Sequence, residues 1–587
     1  MESEKLKIRG TVAAVVYRND ENGYSVVKLE PEEEGAERVT AVGCLPDVFP
    51  GEIIELLGEW VMTAKYGQQF RADSFTQEAP TGAEAIFRYL ASGVLKGIGP
   101  GKAREIVAKF GENALEIIGS SPERLAEVRG ITRSAARELG SELRRTAGVR
   151  ALTQTLGEYG ISPLVAMRFY RIYGDDSAQC ARENPYLLTR TEFGAKFLEA
   201  DRMALSLGFE ADTTERLEAA LAFELRHNLG NGHVFIPTDK LVEATGQMIG
   251  IDGETLYEAI EMLGEDGEFA RDTVAGLDAC YLREMYEAET FVAARLLSMA
   301  GAAESGGADA DALVAKIEDE LGVKYAKGQL EAVRAAATGR VVVLTGGPGT
   351  GKTTSVRGIL ALFDRLGLKT LLCAPTGRAA KRMGELTGRD DAMTVHRALG
   401  AGMGAEGGVV FDRDARNPLK ADAVIVDETS MMDLPLMRAL LEATPEGARL
   451  VLVGDANQLP SVGPGNVFAD IIKSGAAPVV ELTEIFRQAR ESAIIRAAHA
   501  VNEGEVPDLA EKDSDMFFLR RSAPLAIADT VAELMATRLP KNMGIPSGQI
   551  QVLTPSRKGE AGTAALNLRL QRELNPPGKA REKEFGG

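Results

Sequence analysis

The feature that most constrains this chain is the run Gly346-Gly347-Pro348-Gly349-Thr350-Gly351-Lys352-Thr353-Thr354. It follows the apolar stretch Val341–Leu344 and leads into SVRGILALF. Strand, glycine loop and helix in that order form a phosphate-binding loop. Glycines let backbone N–H groups converge on phosphate oxygens, and the helix start adds positive potential. In this reading Gly347 to Thr354 hold ATP, Lys352 reaches the β and γ phosphates, and the Thr353 hydroxyl helps hold Mg²⁺. Such a loop sits in a parallel sheet. The strands VVVLTG, TLLCAPT, AVIVDE and RLVLVGD, separated by helical patterns, supply a doubly wound one.

The strand Val424–Val426 ends in Asp427 and Glu428. Neighbouring side chains leave a strand on opposite sides, so the two carboxylates divide the work. Asp427 belongs in the Mg²⁺ shell, and Glu428 polarises the water that attacks the γ-phosphate. The strand Arg449–Asp455 runs on into Gln458, placed to sense the γ-phosphate or position water; an ordinary capping amide is the rival reading.

At 587 residues the chain has room for roughly four domains. With 45% apolar and 26% charged residues it is neither disordered nor fibrous. No apolar run reaches the ~18 residues of a membrane span, and MESEKLKIRG has no secretory apolar core, so the cytoplasm is expected. Cys44, Cys180, Cys280 and Cys373 lie at least 93 residues apart, which speaks against a zinc site or disulfide framework. The net charge of −19 argues at first against a nucleic-acid partner. Its distribution reverses that: residues 241–320 hold 4 basic and 19 acidic residues, whereas residues 81–150 hold 12 basic and 8 acidic. Local patches, not totals, decide polyanion binding.

Residues 1–78 alternate in short β-branched strands, as in a small OB-like β-barrel. Residues 79–190 turn helical and repeat a phrase: Leu95-Lys96-Gly97-Ile98-Gly99, Val128-Arg129-Gly130-Ile131-Thr132 and Tyr159-Gly160-Ile161-Ser162. Residues 191–300 read as mainly helical with a winged-helix turn near GNGHVFIPTDKL, and 301–311 as a linker. The phosphate-loop lobe takes 312–480, and a second lobe starts over 481–587. Aromatics do not cluster; Tyr66 and Phe70 could stack a base on the barrel, with core packing the favoured alternative.

The three strand-end segments together resemble motifs I, II and III of superfamily 1 helicases. GRAAKRM, VIVDETSMMD and GDANQLPSVGPGNVF narrow the resemblance to RecD-like DNA helicases, in the stand-alone form with a long N-terminal extension. The resemblance covers nearly the whole chain. It implies a RecA-like motor preceded by the barrel, helix–hairpin–helix and winged-helix-like domains. It also implies ATP- and Mg²⁺-dependent 5′-to-3′ movement on single-stranded DNA, with duplex separation at a junction bearing a 5′ tail, by a monomer. Gln329 is similar to the adenine-reading glutamine of that family. Pro375, Thr376 and Arg378 resemble the motif that grips the strand, as do His396 in the next motif and Pro555 and Ser556 in the second lobe. Arg487 resembles the arginine that reaches the γ-phosphate from the second lobe. The segment 400–420 is the candidate separating pin. Helix–hairpin–helix turns hold phosphate through backbone amides without reading sequence, which assigns Gly97, Gly99, Lys102 and Gly130 to DNA. Motifs V and VI of the family are not found, so the expectation is a chain truncated at its C-terminus. The alternative function is then a DNA-binding module that binds ATP and hardly hydrolyses it.

Overall fold

The computed structural model describes residues 6–19, 23–33, 37–63, 67–264, 268–302, 310–403, 409–484, 491–509 and 515–575. Five strands, β1 (Leu6–Arg18), β2 (Tyr24–Pro31), β3 (Val39–Cys44), β4 (Ile53–Thr63) and β5 (Gly67–Glu78), close a barrel in the order β1-β2-β3-β5-β4. Alternation along each strand sends Val12, Val27, Leu29, Ile54, Leu56 and Phe70 inward, all fully buried. Phe70 lies inside this core, edge-on to the exposed Trp60, and is closed to a base. Tyr66 lies outside the described residues.

Helices follow from Ala83 onward, and the 25-residue helix Arg133–Gly157 belongs to two successive cores. It also reaches the barrel. Its Arg150 pairs with Glu52, whose carboxylate is fully buried and accepts from the Phe49 N–H at 2.8 Å. Burial pushes Glu52 up to about 7 in spite of the guanidinium.

The next segment runs helix Thr214–Leu229, strand β6 (Phe235–Pro237), helices Thr238–Ile249 and Gly253–Leu263, then strands β7 (Phe269–Val274) and β8 (Leu277–Leu282). The three strands form one sheet in the order β6-β8-β7. The β7–β8 hairpin turns through Ala275 and Gly276, both at positive φ, as a two-residue hairpin demands.

This segment does not stand apart from the motor. Leu217, Leu241, Phe269 and Leu296 share one core with Val341, Val424, Leu440 and Phe468. The helix Arg283–Gly301 lies along the helix Leu434–Ala443, and Arg295 donates to the Thr444 carbonyl at 2.9 Å. Its last turn reaches Gly301, and the next helix starts at Ala310, so the expected linker 301–311 is shorter at both ends. Residues 303–309 lie outside the description.

The motor sheet has six strands in the order β11-β10-β14-β15-β9-β16: Met393–Thr394, Thr370–Ala374, Ala423–Val426, Arg449–Gly454, Val341–Gly346 and Val479–Leu482. Every pairing is parallel. The strands β9 and β14 are buried along their length, as a sheet covered on both faces requires. Leu482 pairs with Gly346, which carries this lobe past the expected boundary at 480. Between β11 and β14, β12 (Ala401–Met403) and β13 (Val409–Phe411) pair antiparallel. The candidate pin at 400–420 is thus a hairpin at its base, with residues 404–408 undescribed.

Residues 485–587 form a second compact unit. Its described part holds helices such as Ala493–Asn502, Pro524–Glu533 and Thr563–Leu574. Among the described residues of this unit there is no strand. A parallel strand exists only through a partner on which to pair. Among the described residues of the chain, no helix is long and apolar enough to cross a membrane.

Candidate nucleotide site and nucleic-acid contacts

In a parallel sheet all strands end on one edge, and loops leaving that edge build the site. The phosphate-binding loop leaves β9. Gly349 and Gly351 take positive φ, and Gly351 caps the helix Lys352–Arg365. Gly346 is required for a different reason: a Cβ there would lie 2.7 Å from Thr350 Oγ1 and 2.9 Å from the Leu482 carbonyl. Lys352 Nζ lies folded onto the loop, donating to the carbonyls of Gly346 at 2.5 Å and Gly347 at 3.2 Å. Thr353 and Thr354 follow in the helix's first turn.

At the end of β14, Asp427 is pushed up to about 6, first by burial and then by the neighbouring Glu428 charge; Lys352 and Arg382 oppose the shift. Glu428 adopts φ 53, one of three non-glycine residues at positive φ among the described residues. Such strain concentrates where a side chain must be aimed. A partly buried carboxylate held above its usual range gains from a cation beside it, so Asp427 and Thr353 fit the Mg²⁺ expected there.

From β15 the chain reaches Asp455, buried, which accepts from the Asn457 N–H at 3.1 Å and from Gln458 Nε2 at 3.4 Å. Gln458 itself is exposed on the same edge. The Ala456 N–H donates to Thr345 Oγ1 at 3.3 Å, tying this loop to the strand that carries the phosphate loop. Beyond Gln458, Ser461 Oγ donates to the carbonyls of Gly463 and Gly465, and the Gly465 N–H reaches the Gly232 carbonyl at 3.0 Å. The loop that follows β15 is therefore anchored on the GNGH turn at Gly232.

Gln329 is 2% exposed and used at both ends. Its Oε1 accepts from the Ala326 N–H at 3.0 Å, and its Nε2 donates to the Gly351 carbonyl at 3.3 Å. The structure brings it to the phosphate loop as a strut. Arg487 lies outside the described residues, and Pro555 and Ser556 belong to the second unit, where Ser556 Oγ donates to the Lys558 carbonyl.

On the loop after β10, Thr376 caps the helix Gly377–Thr387, accepting from the Ala379 N–H at 3.3 Å; Pro375 precedes it and Arg378 is exposed on its first turn. Thr394 caps the short helix Val395–Ala398, whose second residue is His396. Its ring stands 6.0 Å from that of Phe411, at the base of the β12–β13 hairpin. The sequence reading missed Arg382, Asp455 and Thr345. Arg382 follows Arg378 by four residues, one helical turn, a spacing that was available. Asp455 and Thr345 gave no signal, since their role is a contact across strands.

The three glycine phrases share one geometry. Gly97, Gly130 and Gly160 take φ 86, 82 and 84, and the isoleucine after each is buried. A helix then starts, capped by Gly99, Thr132 or Ser162. A Cβ on Gly97, Gly99 or Gly130 would meet nothing within 4 Å, which leaves the turn backbone open. Lys102 Nζ folds onto the Gly97 carbonyl at 3.3 Å.

Against known families, residues 324–520 match an AAA domain, and residues 5–80 match the OB-fold domain of the ATP-dependent DNA helicase YrrC. Residues 145–235 match the HHH domain of the ATP-dependent RecD2 DNA helicase. That last match holds the third glycine phrase and not the first two. The chain is 33% identical over 589 residues to an ATP-dependent RecD2 DNA helicase of Deinococcus radiodurans, covering 98% of this chain and 79% of that protein. It is 44% identical over 166 residues to the RecBCD enzyme subunit RecD of Mycobacterium tuberculosis, covering 24% of this chain and 28% of that subunit. A crystal structure of Pif1 helicase from Candida albicans aligns with a TM-score of 0.26 at 23% identity, over 36% of this chain and 54% of the other.

Proposed function

The chain belongs to the family of ATP-dependent RecD2 DNA helicases, and on that premise we propose how it works as one: ATP hydrolysis drives it 5′ to 3′ along single-stranded DNA and into duplex, as a monomer in the cytoplasm. One observation carries the reading. The phosphate loop, the Asp427–Glu428 pair, Gln458 and the Thr376 turn leave four parallel strands on one edge of one sheet.

The residues divide the chemistry. The backbone of Gly347–Gly351 and Lys352 hold the phosphates, and Asp427 with Thr353 would hold Mg²⁺, which when bound offsets charge on the phosphate oxygens. Glu428 takes the proton of the attacking water, and Gln458 senses the γ-phosphate. The resemblance assigns Arg487 a role toward the γ-phosphate. Gln329 fixes the loop by its strut and turns to the adenine when the base arrives. Pro375, Thr376, Arg378 and His396 grip the strand, the resemblance assigns Pro555 and Ser556 to DNA as well, and the β12–β13 hairpin splits the duplex. Gly97, Gly99, Lys102 and Gly130 hold DNA phosphates behind it. Each opened step costs ~1.4 kcal/mol of stacking, which single strokes of ATP hydrolysis can supply.

The test is phosphate release with and without single-stranded DNA, beside Lys352→Ala, followed by unwinding of duplexes with a 5′ or a 3′ tail. DNA-stimulated hydrolysis lost in the variant, with unwinding from the 5′ tail alone, is the expected result. Unwinding from the 3′ tail would reverse the polarity. Binding of ATP and DNA without turnover would leave a DNA-binding module.

A further inference from the structure

Two clefts on the N-terminal half share a wall. The first, about 500 Å³, opens between the first two glycine hairpins and is lined by Gly97, Lys102 and Gly130 among others. The second, about 780 Å³, lies between the barrel and the helices and is lined by Arg18, Phe49, Arg144 and Arg171 among others. Lys96, Ser141, Glu142 and Arg145 line both, so the clefts join into one groove. In a chain of net charge −19, this groove gathers six basic residues (Arg18, Lys96, Lys102, Arg144, Arg145, Arg171) against four acidic ones (Asp47, Glu138, Glu142, Asp175).

Some of these cations are committed to the fold. Arg18 stacks over Phe49 at 4.7 Å, and Arg144 Nη1 donates to the Gly119 carbonyl at 2.7 Å. Lys96 and Arg145, on the shared wall, are exposed, and among the described residues neither side chain makes a hydrogen bond or ion pair. Beside them Glu142 Oε2 accepts from the Lys96 backbone N–H at 3.0 Å. A carboxylate thus sits on the backbone of the first hairpin, where an anion is favoured.

The groove also says which form of DNA suits it. Unpaired strands are held through bases stacked on aromatic faces. Here Phe49 is covered by Arg18 and met by Tyr89, while Tyr170 is buried with its hydroxyl on Asp175. Cations and open backbone without stacking faces match a partner whose bases are paired inside and whose phosphates face out.

We infer that the joined clefts seat the sugar-phosphate backbone of duplex DNA, with Lys96 and Arg145 on phosphates and Glu142 holding a phosphate's place until duplex displaces it. The inference rests on the reading that the glycine hairpins bind DNA, and extends it to the barrel wall.

The experiment measures binding of the full chain to labelled blunt duplex and to single-stranded oligonucleotide across a salt series. Arg145→Gln weakens duplex binding about three- to tenfold and lowers the salt slope by about 1, with single-strand binding unchanged. Lys96→Gln repeats this should the first variant lose its fold by circular dichroism. Glu142→Gln tightens duplex binding about three- to tenfold. Lys102→Gln separates the two levels of the argument. Weakened duplex binding by Lys102→Gln with none by Arg145→Gln or Lys96→Gln overturns the groove and keeps the hairpins; no change in any overturns both. Equal losses on single strands overturn the duplex assignment, and weaker duplex binding by Glu142→Gln overturns its place-holding role.

Discussion

On the function proposed above, the chain offers phosphate two kinds of grip, and they use glycine for opposite reasons. At the phosphate loop the surroundings are crowded: a Cβ on Gly346 would strike Thr350 and Leu482. At the hairpins the surroundings are empty, and Gly97 and Gly130 are needed for their positive φ alone. The loop adds side-chain chemistry in Lys352, Asp427 and Glu428, whereas the hairpins offer backbone and a few nearby cations. A crowded site encloses a small ligand and acts on it; an open one holds a long polymer and lets it slide.

The largest effects belong to the crowded site. Glu428→Gln is expected to lower DNA-stimulated kcat by about 10²- to 10⁴-fold while ATP binding survives, which a nucleotide-binding titration beside phosphate release would show. Lys352→Ala removes a fixed cation and lowers kcat by about 10²- to 10³-fold. Retention of most activity in either variant would place the chemistry elsewhere and dissolve the contrast.

The support of the open site comes next. Arg150→Ala leaves the buried Glu52 carboxylate without its cation, at a cost of about 3 kcal/mol in urea unfolding at pH 8. The loss shrinks at pH 5.5, where Glu52 (raised to about 7) is protonated and needs no partner. An equal loss at both pH values would show that Arg150 acts by packing.

Gly97→Ala sharpens the comparison directly. The backbone penalty is about 1–2 kcal/mol with no clash, duplex binding weakens, and kcat at saturating single strand is unchanged. Gly346→Ala, by contrast, should abolish ATP binding. If both variants fail in the same assay, the two grips are not independent.

The smallest effect is pH dependence. Asp427 is raised from 3.8 to about 6, so the folded chain holds a proton between roughly pH 4 and 6 that the unfolded chain has lost. Its contribution to stability is therefore lost as pH rises through about 6. Its grip on Mg²⁺ runs the other way, and kcat/KM for ATP should fall about tenfold per unit below pH 6. A flat profile between pH 5 and 7 would show that Asp427 is ionised throughout.

Much was legible because it was local. Glycine loop, strand ends and turn phrases are set within ten residues, and their spacing carries their geometry. The phosphate loop, Asp427 and the capped hairpins stand where the periodicity put them. The domain limits were less legible. The structure crosses the expected boundaries at 300 and 480, because Leu296 and Leu440 share a core and Leu482 pairs with Gly346. Gln329 was assigned by resemblance, and only the fold shows its carboxamide engaged on both sides.

The sequence by itself determined which residues are candidates to hold phosphate, because that chemistry needs particular atoms at short spacing along one chain. Tertiary structure alone decided what surrounds them. The Gly465–Gly232 anchor joins residues 233 positions apart, Thr345 meets Ala456 across strands, and Arg145 comes to face both a hairpin and the barrel. Such contacts form when burial of apolar faces brings distant segments together, and no short-range pattern encodes them.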